Sequence, residues 1–314
     1  MPAGRLAGLG ATPDYHHGLL GLELEDARAV AVRVDDRGTV QARAVADADG
    51  SLAAAATGAL AQVTAGDAGA RVLGVATVNP ESPAMVAVVA GLAHHFTGPF
   101  AQNGATPSGT AAAVAEAWVG AGRGAHDVVF FAVGVHTTGG IVRGGAPVTG
   151  ARGRAGSVAW LSLNPVERED YRKTGCLEAE VAAAGIVRRL IWRIKAGDRS
   201  RVQDAVNDDL SAITVEHVLE AARRNDGVSI SVVRDTAKYL GMAAANLVVV
   251  ADPETLVLGG IMASAADLLL DPLRVEIARR LPKSMLEALT IETATLGADA
   301  AAIGAARLAS AAIP

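Results

Sequence analysis

The sequence predicts an α/β protein in which mixed sheets are covered by helices. Two observations carry that prediction. Short apolar, β-branched runs joined by tight turns alternate with Ala-rich or amphipathic helical stretches. A block of three strands, a helix and a further strand opens the chain and is weakly echoed in the second half, which reads as an internal duplication. Duplicated units of this kind form two lobes with an interlobe cleft. Such a layout suits a ligand and a phosphate donor, although fold alone does not establish chemistry.

The first strand is Leu19-Leu20-Gly21-Leu22-Glu23-Leu24, followed by runs at 29–34 and 39–45 around the turn Asp35-Asp36-Arg37-Gly38. Together they read as an antiparallel meander. A helix over 51–64 has Ser51 as its N-cap and Gly66 just beyond its end. A buried strand spans 71–78, and 83–93 fits either a strand or a helix. The second half gives a helix at 110–120, a strongly apolar strand at 127–135, the loop His136-Thr137-Thr138-Gly139-Gly140 and a strand at 141–143. Gly144-Gly145 then turns into Ala146-Pro147-Val148. Helices are expected at 177–196, 215–225 and 229–250, the last broken by Asp252-Pro253. A strand at 255–258 ends in Gly259-Gly260, and a helix at 265–280, a strand at 290–294 and a helix at 298–309 close the chain.

Composition narrows the class further. With 314 residues, 51% of them hydrophobic and 19% charged, the chain can bury a sizeable core, and its length suits two domains. Small side chains dominate, with 35 glycines and 3% aromatics. A net charge of −5 offers no electrostatic footprint for nucleic acid or an anionic membrane. Cys176 is the sole cysteine, which excludes a disulfide framework and a zinc site built from several thiolates. The apolar stretches at 85–93 and 247–251 fall far short of a bilayer span. Residues 1–17 lack the apolar core of a signal peptide and read as a flexible leader, so a cytoplasmic protein is expected.

Several motifs occur in a telling order. They are the strand-loop-strand over 133–142, Gly150-Ala151-Arg152-Gly153-Arg154-Ala155-Gly156, Gly175-Cys176-Leu177-Glu178-Ala179 and Asp252-Pro253-Glu254-Thr255-Leu256-Val257-Leu258-Gly259-Gly260. Gly297-Ala298-Asp299-Ala300-Ala301-Ala302-Ile303-Gly304-Ala305-Ala306 closes the series. Over residues 18–310 the ordered set resembles the ROK family of bacterial sugar kinases and sugar-responsive repressors. The resemblance implies a duplicated, ribonuclease H-like fold of the actin or hexokinase type, usually as a homodimer. It places an N-terminal lobe at 18–126, a C-terminal lobe at 127–296, and a terminal helix at 297–314 that packs back on the first lobe.

The family's functional motifs carry over only in part. Kinases of the family end their first strand in Asp-x-Gly-Gly-Thr; the matching Glu23-Leu24-Glu25-Asp26-Ala27 has no glycine, so this phosphate cradle is lost. The second phosphate loop, Gly-Thr-Gly-Ile-Gly-Gly-Gly, is matched by Gly134-Val135-His136-Thr137-Thr138-Gly139-Gly140. Gly139 and Gly140 here either form the hairpin turn or keep a residual anion site, and the resemblance makes Gly259 and Gly260 further residual nucleotide-site positions. The family's catalytic aspartate sits in Asn-Asp-Ala-Asn before an Ala-rich helix. Asn103 matches the first asparagine and Gly104 stands at the base, with no Asp or Glu between Asn103 and Ala115 to replace it. Losing a positioned base costs about 10²–10⁴ in rate.

The zinc pattern is also absent. Its histidine position is Trp160, its first two cysteines are Glu169 and Tyr171, and Cys176 alone remains, which reads as a small buried hydrophobe. No metal is expected. Of the family's sugar contacts, Glu178 is kept, whereas a glutamate and the histidine have become Ser157 and Trp160. The loop covering the sugar shrinks to Asn79-Pro80-Glu81-Ser82-Pro83. His16-His17 and His94-His95 read as surface or loop histidines, Asp208-Asp209 and Arg223-Arg224 as solvated helix-end charges, and Trp118, Trp160 and Trp192 as core or interface anchors.

These residues lead to a non-catalytic protein that binds a sugar or related metabolite, a sensor or transcriptional regulator without its own DNA-binding element. Its ligand residues are expected to be Asn103, Glu178, Ser157 and Trp160, with no cofactor. One alternative is an ATP-dependent sugar kinase using ATP and Mg²⁺. The other is a partner-binding remnant.

Overall fold

A computed structural model of the chain describes residues 18–65, 72–95 and 104–311. Residues 1–17, expected as a flexible leader, with His16 and His17, and also Gly66 and Asn103, lie outside the described residues, as do the side chains of His94 and His95.

The chain opens with strands β1 (Leu19–Leu24), β2 (Arg28–Val34) and β3 (Val40–Asp47), paired antiparallel as the meander requires. Asp35 closes the second hairpin, its carboxylate accepting the amides of Arg37 and Thr39. Helix α1 (Leu52–Thr64) starts where Ser51 accepts the Ala54 amide. After it come β4 (Val72–Thr77), α2 (Pro83–His95), the two-residue β5 (Thr106–Pro107) and α3 (Ser108–Val119). The segment that fitted either structure is therefore a helix. Strand order in this sheet is β3-β2-β1-β4-β5, with β4 parallel to β1 and β5 parallel to β4.

Strand alternation decides what each side of β1 meets. Leu20, Leu22 and Leu24 enter one apolar cluster with Ala56 and Ala59 of α1 and Met85 and Val89 of α2. Leu19 joins a second cluster with Ala115 of α3 and with Ala302, Ile303 and Ala306 of the final helix. Backbone meets backbone on that side. A Cβ on Gly21 would stand 1.8 Å from the Ala302 carbonyl oxygen, one on Gly74 1.9 Å from that of Ala305, and one on Gly304 1.7 Å from that of Ala111. The wealth of glycine and alanine thus has a structural cause: helix axes lie too near the sheet and each other for larger side chains.

Further along run β6 (Val128–Val133), β7 (Thr137–Arg143) and β8 (Ala146–Pro147), then α4 (Glu169–Thr174), α5 (Cys176–Val181), α6 (Ala183–Lys195), α7 (Arg201–Ala205) and α8 (Val215–Arg223). A single 3₁₀ turn, Val158–Trp160, precedes α4. The one helix expected at 177–196 is two. Ala182 is extended, its neighbour Ala183 donates to the Gly134 carbonyl, and Gly185 passes so close that a Cβ would be 2.4 Å from the Ala179 oxygen. Capping boxes at Ser200 with Gln203 and Thr214 with His217 start α7 and α8.

The 25-residue α9 (Gly227–Ala251) is capped by Asp226 and stopped by Asp252 in the left-handed conformation, just before Pro253. It packs on α5, α6, α8 and α11. Strand β9 (Thr255–Gly260), helices α10 (Ile261–Ser264), α11 (Ala266–Ala278) and α12 (Lys283–Ala288), strand β10 (Thr290–Thr293) and helix α13 (Ala300–Ala311) complete the chain. The helix expected at 265–280 is α11, capped at Ala265, and the short α10 before it was not expected. Strand order in the second sheet is β10-β9-β6-β7-β8.

Two compact units result. One comprises the chain up to Phe130, Gly139–Gly156 and everything from Ala294; the other comprises Phe131–Thr138 and Ser157–Thr293. The sequence reading placed boundaries at 126/127 and 296/297. Segment 139–156 instead groups with the first unit, where the Gly139 and Gly140 backbone lies against Gly109. Trp118 is half-buried, covered by the Gly38 turn and the Arg307 guanidinium. The other two tryptophans are not core anchors, since Trp160 is 56% exposed and Trp192 50%. Arg223 is not merely solvated; it forks onto Asp267 at 2.8 and 2.9 Å.

Candidate functional site

Within the second unit, the turn from β6 to β7 is closed by the Gly134 amide bonding the His136 carbonyl at 2.8 Å. Thr137 then donates its amide to Glu178 Oε2 at 2.6 Å, and His136 Nδ1 lies 3.4 Å from Glu178 Oε1. A short charge-assisted bond of this kind fixes the carboxylate. Thr137 is itself buried, and its hydroxyl has no hydrogen-bond partner. The 3₁₀ turn carrying Trp160 packs against α5, the helix that carries Glu178. Gly175 permits this: it has φ +102°, and a Cβ there would stand 2.3 Å from the Ala159 oxygen. Ser157 precedes the same turn, its carbonyl accepting the Trp160 amide. Glu178, Trp160 and Ser157 therefore belong to one neighbourhood of one unit, while Asn103 lies outside the described residues.

Gly139 and Gly140 do not form the hairpin turn. They lie inside β7, where a Cβ on Gly140 would be 2.2 Å from the Gly109 oxygen and one on Gly156 2.7 Å from the Gly139 oxygen. Their glycine identity is explained by packing against the head of α3. Gly259 is buried in β9; Gly260 has φ +63°, and a Cβ there would be 1.9 Å from the Val133 oxygen. These glycines, too, serve close backbone approach.

In the first unit, the segment matching the first phosphate loop is a tight β1–β2 connection. The Glu25 amide bonds the Arg28 carbonyl, and the Arg28 guanidinium grips the Glu25 carboxylate at 2.8 and 2.7 Å. Glu23 is buried on β1. Burial raises its carboxyl to about 7, partly offset by the neighbouring Ser108 hydroxyl, while Glu25 pushes it up further and Arg28 draws it down. Ser108 is the first residue of α3; its buried hydroxyl forms no hydrogen bond of full geometry. Gly104 lies four residues before that helix, with φ +75° and open space around it. The residue at the helix head is Ser108, a position the sequence reading passed over.

The residues matched to the family's zinc pattern sit in different surroundings. Trp160 is exposed, Glu169 pairs with Lys173 at 2.7 Å, and Tyr171 is buried with its hydroxyl on Glu180 at 2.5 Å. Cys176 opens α5 half-exposed rather than as a buried hydrophobe. Among the described residues, no three His, Cys, Asp or Glu side chains gather as a metal site. No helix described is long and apolar enough to cross a membrane. Sequence reasoning also missed His136 as the partner of Glu178. Its signal was an imidazole standing where the phosphate loop has glycine.

The family model described as ROK matches residues 47–312. A glucokinase of Halalkalibacterium halodurans is 36% identical over 197 residues, 62% of this chain and 59% of that protein. The DNA-binding transcriptional dual regulator NagC of Escherichia coli is 28% identical over 159 residues, 50% of this chain and 38% of the regulator. Thus the chain spans well under two thirds of the length of these relatives. Among solved structures, a Streptomyces griseus ROK glucokinase in complex with glucose and AMPPNP aligns with TM-score 0.77 and 22% identity, covering 93% of this chain and 98% of that one. A ROK transcriptional regulator, a homologue of E. coli MLC, also gives TM-score 0.77, at 20% identity, covering 94% and 78%. At such identities the likeness is one of fold.

Proposed function

The chain belongs to the ROK family, and from that premise we propose that it binds a monosaccharide as a sensor or regulator and transfers no phosphoryl group. The observation that carries the binding half is the Thr137–Glu178 pairing. A carboxylate held at 2.6 Å by a backbone amide sits beside a buried hydroxyl without a partner. The carboxylate, 14% exposed, offers an acceptor to a sugar hydroxyl. An exposed indole on the neighbouring turn supplies an apolar platform for a pyranose face. Ser157, on the same turn, is the further polar contact.

Against phosphoryl transfer stands the head of α3. Its first residue is a serine, and the nearby Glu23 carboxyl, raised to about 7, is half protonated at neutral pH. With the two glycines of the first phosphate loop replaced by Glu25 and Asp26, phosphates lose backbone donors there and meet carboxylates. Under this reading the protein works in the cytoplasm as a homodimer and needs no cofactor. Kinase activity with ATP and Mg²⁺ is the second reading, favoured by the 36% identity to a glucokinase.

Calorimetric titration with glucose, N-acetylglucosamine and xylose tests the proposal. At least one should bind to the wild type and lose affinity in Glu178→Ala. Absence of binding by the whole panel would refute it.

A further inference from the structure

We infer that Glu180, two residues beyond Glu178, is a positioning residue: it clamps the far end of α5 and thereby sets where the Glu178 carboxylate stands. The inference rests on the sugar-binding reading of Glu178 but has a readout independent of it.

Helix α5 is six residues long, too short to hold its own geometry, and it begins and ends at non-helical residues, Gly175 and Ala182. Its orientation must come from tertiary contacts. Glu180 supplies them from a buried position: Oε1 accepts Arg168 Nη1 at 3.0 Å and the Tyr171 hydroxyl at 2.5 Å, and Oε2 accepts Arg189 Nη2 at 2.9 Å. The carbonyls that a helix C-terminus leaves unpaired are also taken. Arg189 Nη2 reaches the Glu180 carbonyl at 2.9 Å, and Arg188 Nη2 the Ala179 carbonyl at 2.6 Å.

The donors are held in turn. Arg189 Nη1 donates to Thr236 Oγ1 on α9 at 2.9 Å and lies 5.6 Å from the Tyr239 ring. Arg188 pairs with Asp170 of α4 at 2.5 Å, and the Arg168 guanidinium stacks over Trp192 of α6. Helices α4, α5 and α6 therefore meet at one carboxylate, and Arg189 ties α9 to it. Residues two apart on a helix point about 200° from each other. The roll of α5 that seats Glu180 among the arginines is the same roll that presents Glu178 to Thr137. Burying a charge in this way is a poor route to stability compared with apolar packing. What it does supply is a single geometry.

The test compares Glu180→Gln, Tyr171→Phe, Glu178→Gln and, as a control for general destabilisation, Ile277→Val on α11. Two quantities are read: exchange of the Thr137 amide by NMR, and affinity for glucose. Loss of a charge-assisted bond should speed Thr137 exchange about tenfold or more in Glu180→Gln, with a smaller effect in Tyr171→Phe. Glucose affinity should fall in the same order, while Ile277→Val changes neither beyond its shift in Tm. If Glu180→Gln alters Thr137 exchange no more than Ile277→Val does, the positioning role is overturned. Faster Thr137 exchange in Glu180→Gln with no glucose binding by the wild type would uphold the positioning role and count against glucose as the ligand.

Discussion

The Thr137 amide and the Glu178 carboxylate meet at 2.6 Å across 41 residues of sequence. That bond joins the β6–β7 turn to α5, and it fixes the carboxylate proposed to contact the sugar. The same turn carries His136, 3.4 Å from the other carboxylate oxygen. Any sugar hydroxyl approaching Glu178 must therefore share it with both.

Glu178→Gln should weaken monosaccharide binding about tenfold or more, since a hydrogen bond to a charged group contributes about 1.5–3 kcal/mol. The fold should survive, because glutamine still accepts the Thr137 amide. Calorimetry with parallel thermal melts checks both parts.

Glu23 should make stability depend on pH. Its folded-state value of about 7 lies above the ordinary 4.5, so the folded protein holds this proton more tightly than the unfolded chain. The stabilisation is complete below about pH 4.5 and is lost as the pH rises through about 7. The full span corresponds to about 3 kcal/mol. Relative to wild type, Glu23→Gln should gain up to that amount at pH 8 compared with pH 5, measured by urea unfolding. A difference that stays constant with pH would contradict the assignment.

Glycines at the α13 interface should tolerate nothing larger. Gly304→Ala puts a methyl 1.7 Å from the Ala111 oxygen, and Gly21→Ala one 1.8 Å from the Ala302 oxygen. Each should cost about 3 kcal/mol, at the upper end of overpacking effects, because backbone has to move. By contrast Gly58 lies in α1 with nothing within 4 Å, so Gly58→Ala should raise stability by up to about 1 kcal/mol. Thermal melts of the three variants read the contrast.

Glu116 is fully buried and accepts the amides of Ala121, Thr295 and Leu296 at 2.7, 3.0 and 3.0 Å. Glu116→Ala strands three donors at once and should destabilise by about 3 kcal/mol or more. Glu116→Gln, with one remaining acceptor, should fall between it and wild type in the same melts.

Most of the fold was legible because period and punctuation coincide with the elements. Ser51 as a cap, the Asp35 turn and the Asp252-Pro253 stop all act locally, and each lies where the sequence puts it. The break at Ala182 was not legible. It interrupts helix-compatible sequence, and its partners, Gly134 and Ala179, are set by tertiary packing. At the site, Glu178 stood in a recognisable block. The Glu180 clamp did not, since its arginines and tyrosine come from α4, α6 and the segment before α4, and only folding unites them. Gly139 and Gly140 were ambiguous for a related reason: glycine required by a neighbouring backbone looks the same in sequence as glycine required by a phosphate.

Sugar binding without phosphoryl transfer can be read in one NMR experiment on the wild-type chain incubated with Mg·ATP and glucose, N-acetylglucosamine and xylose in turn, following saturation transfer to the sugar and phosphorus signals together. Transfer to at least one unmodified sugar is expected, with ATP unchanged over the incubation. Appearance of a sugar phosphate together with ADP, lost in Glu178→Ala, would contradict it and identify the protein as a kinase.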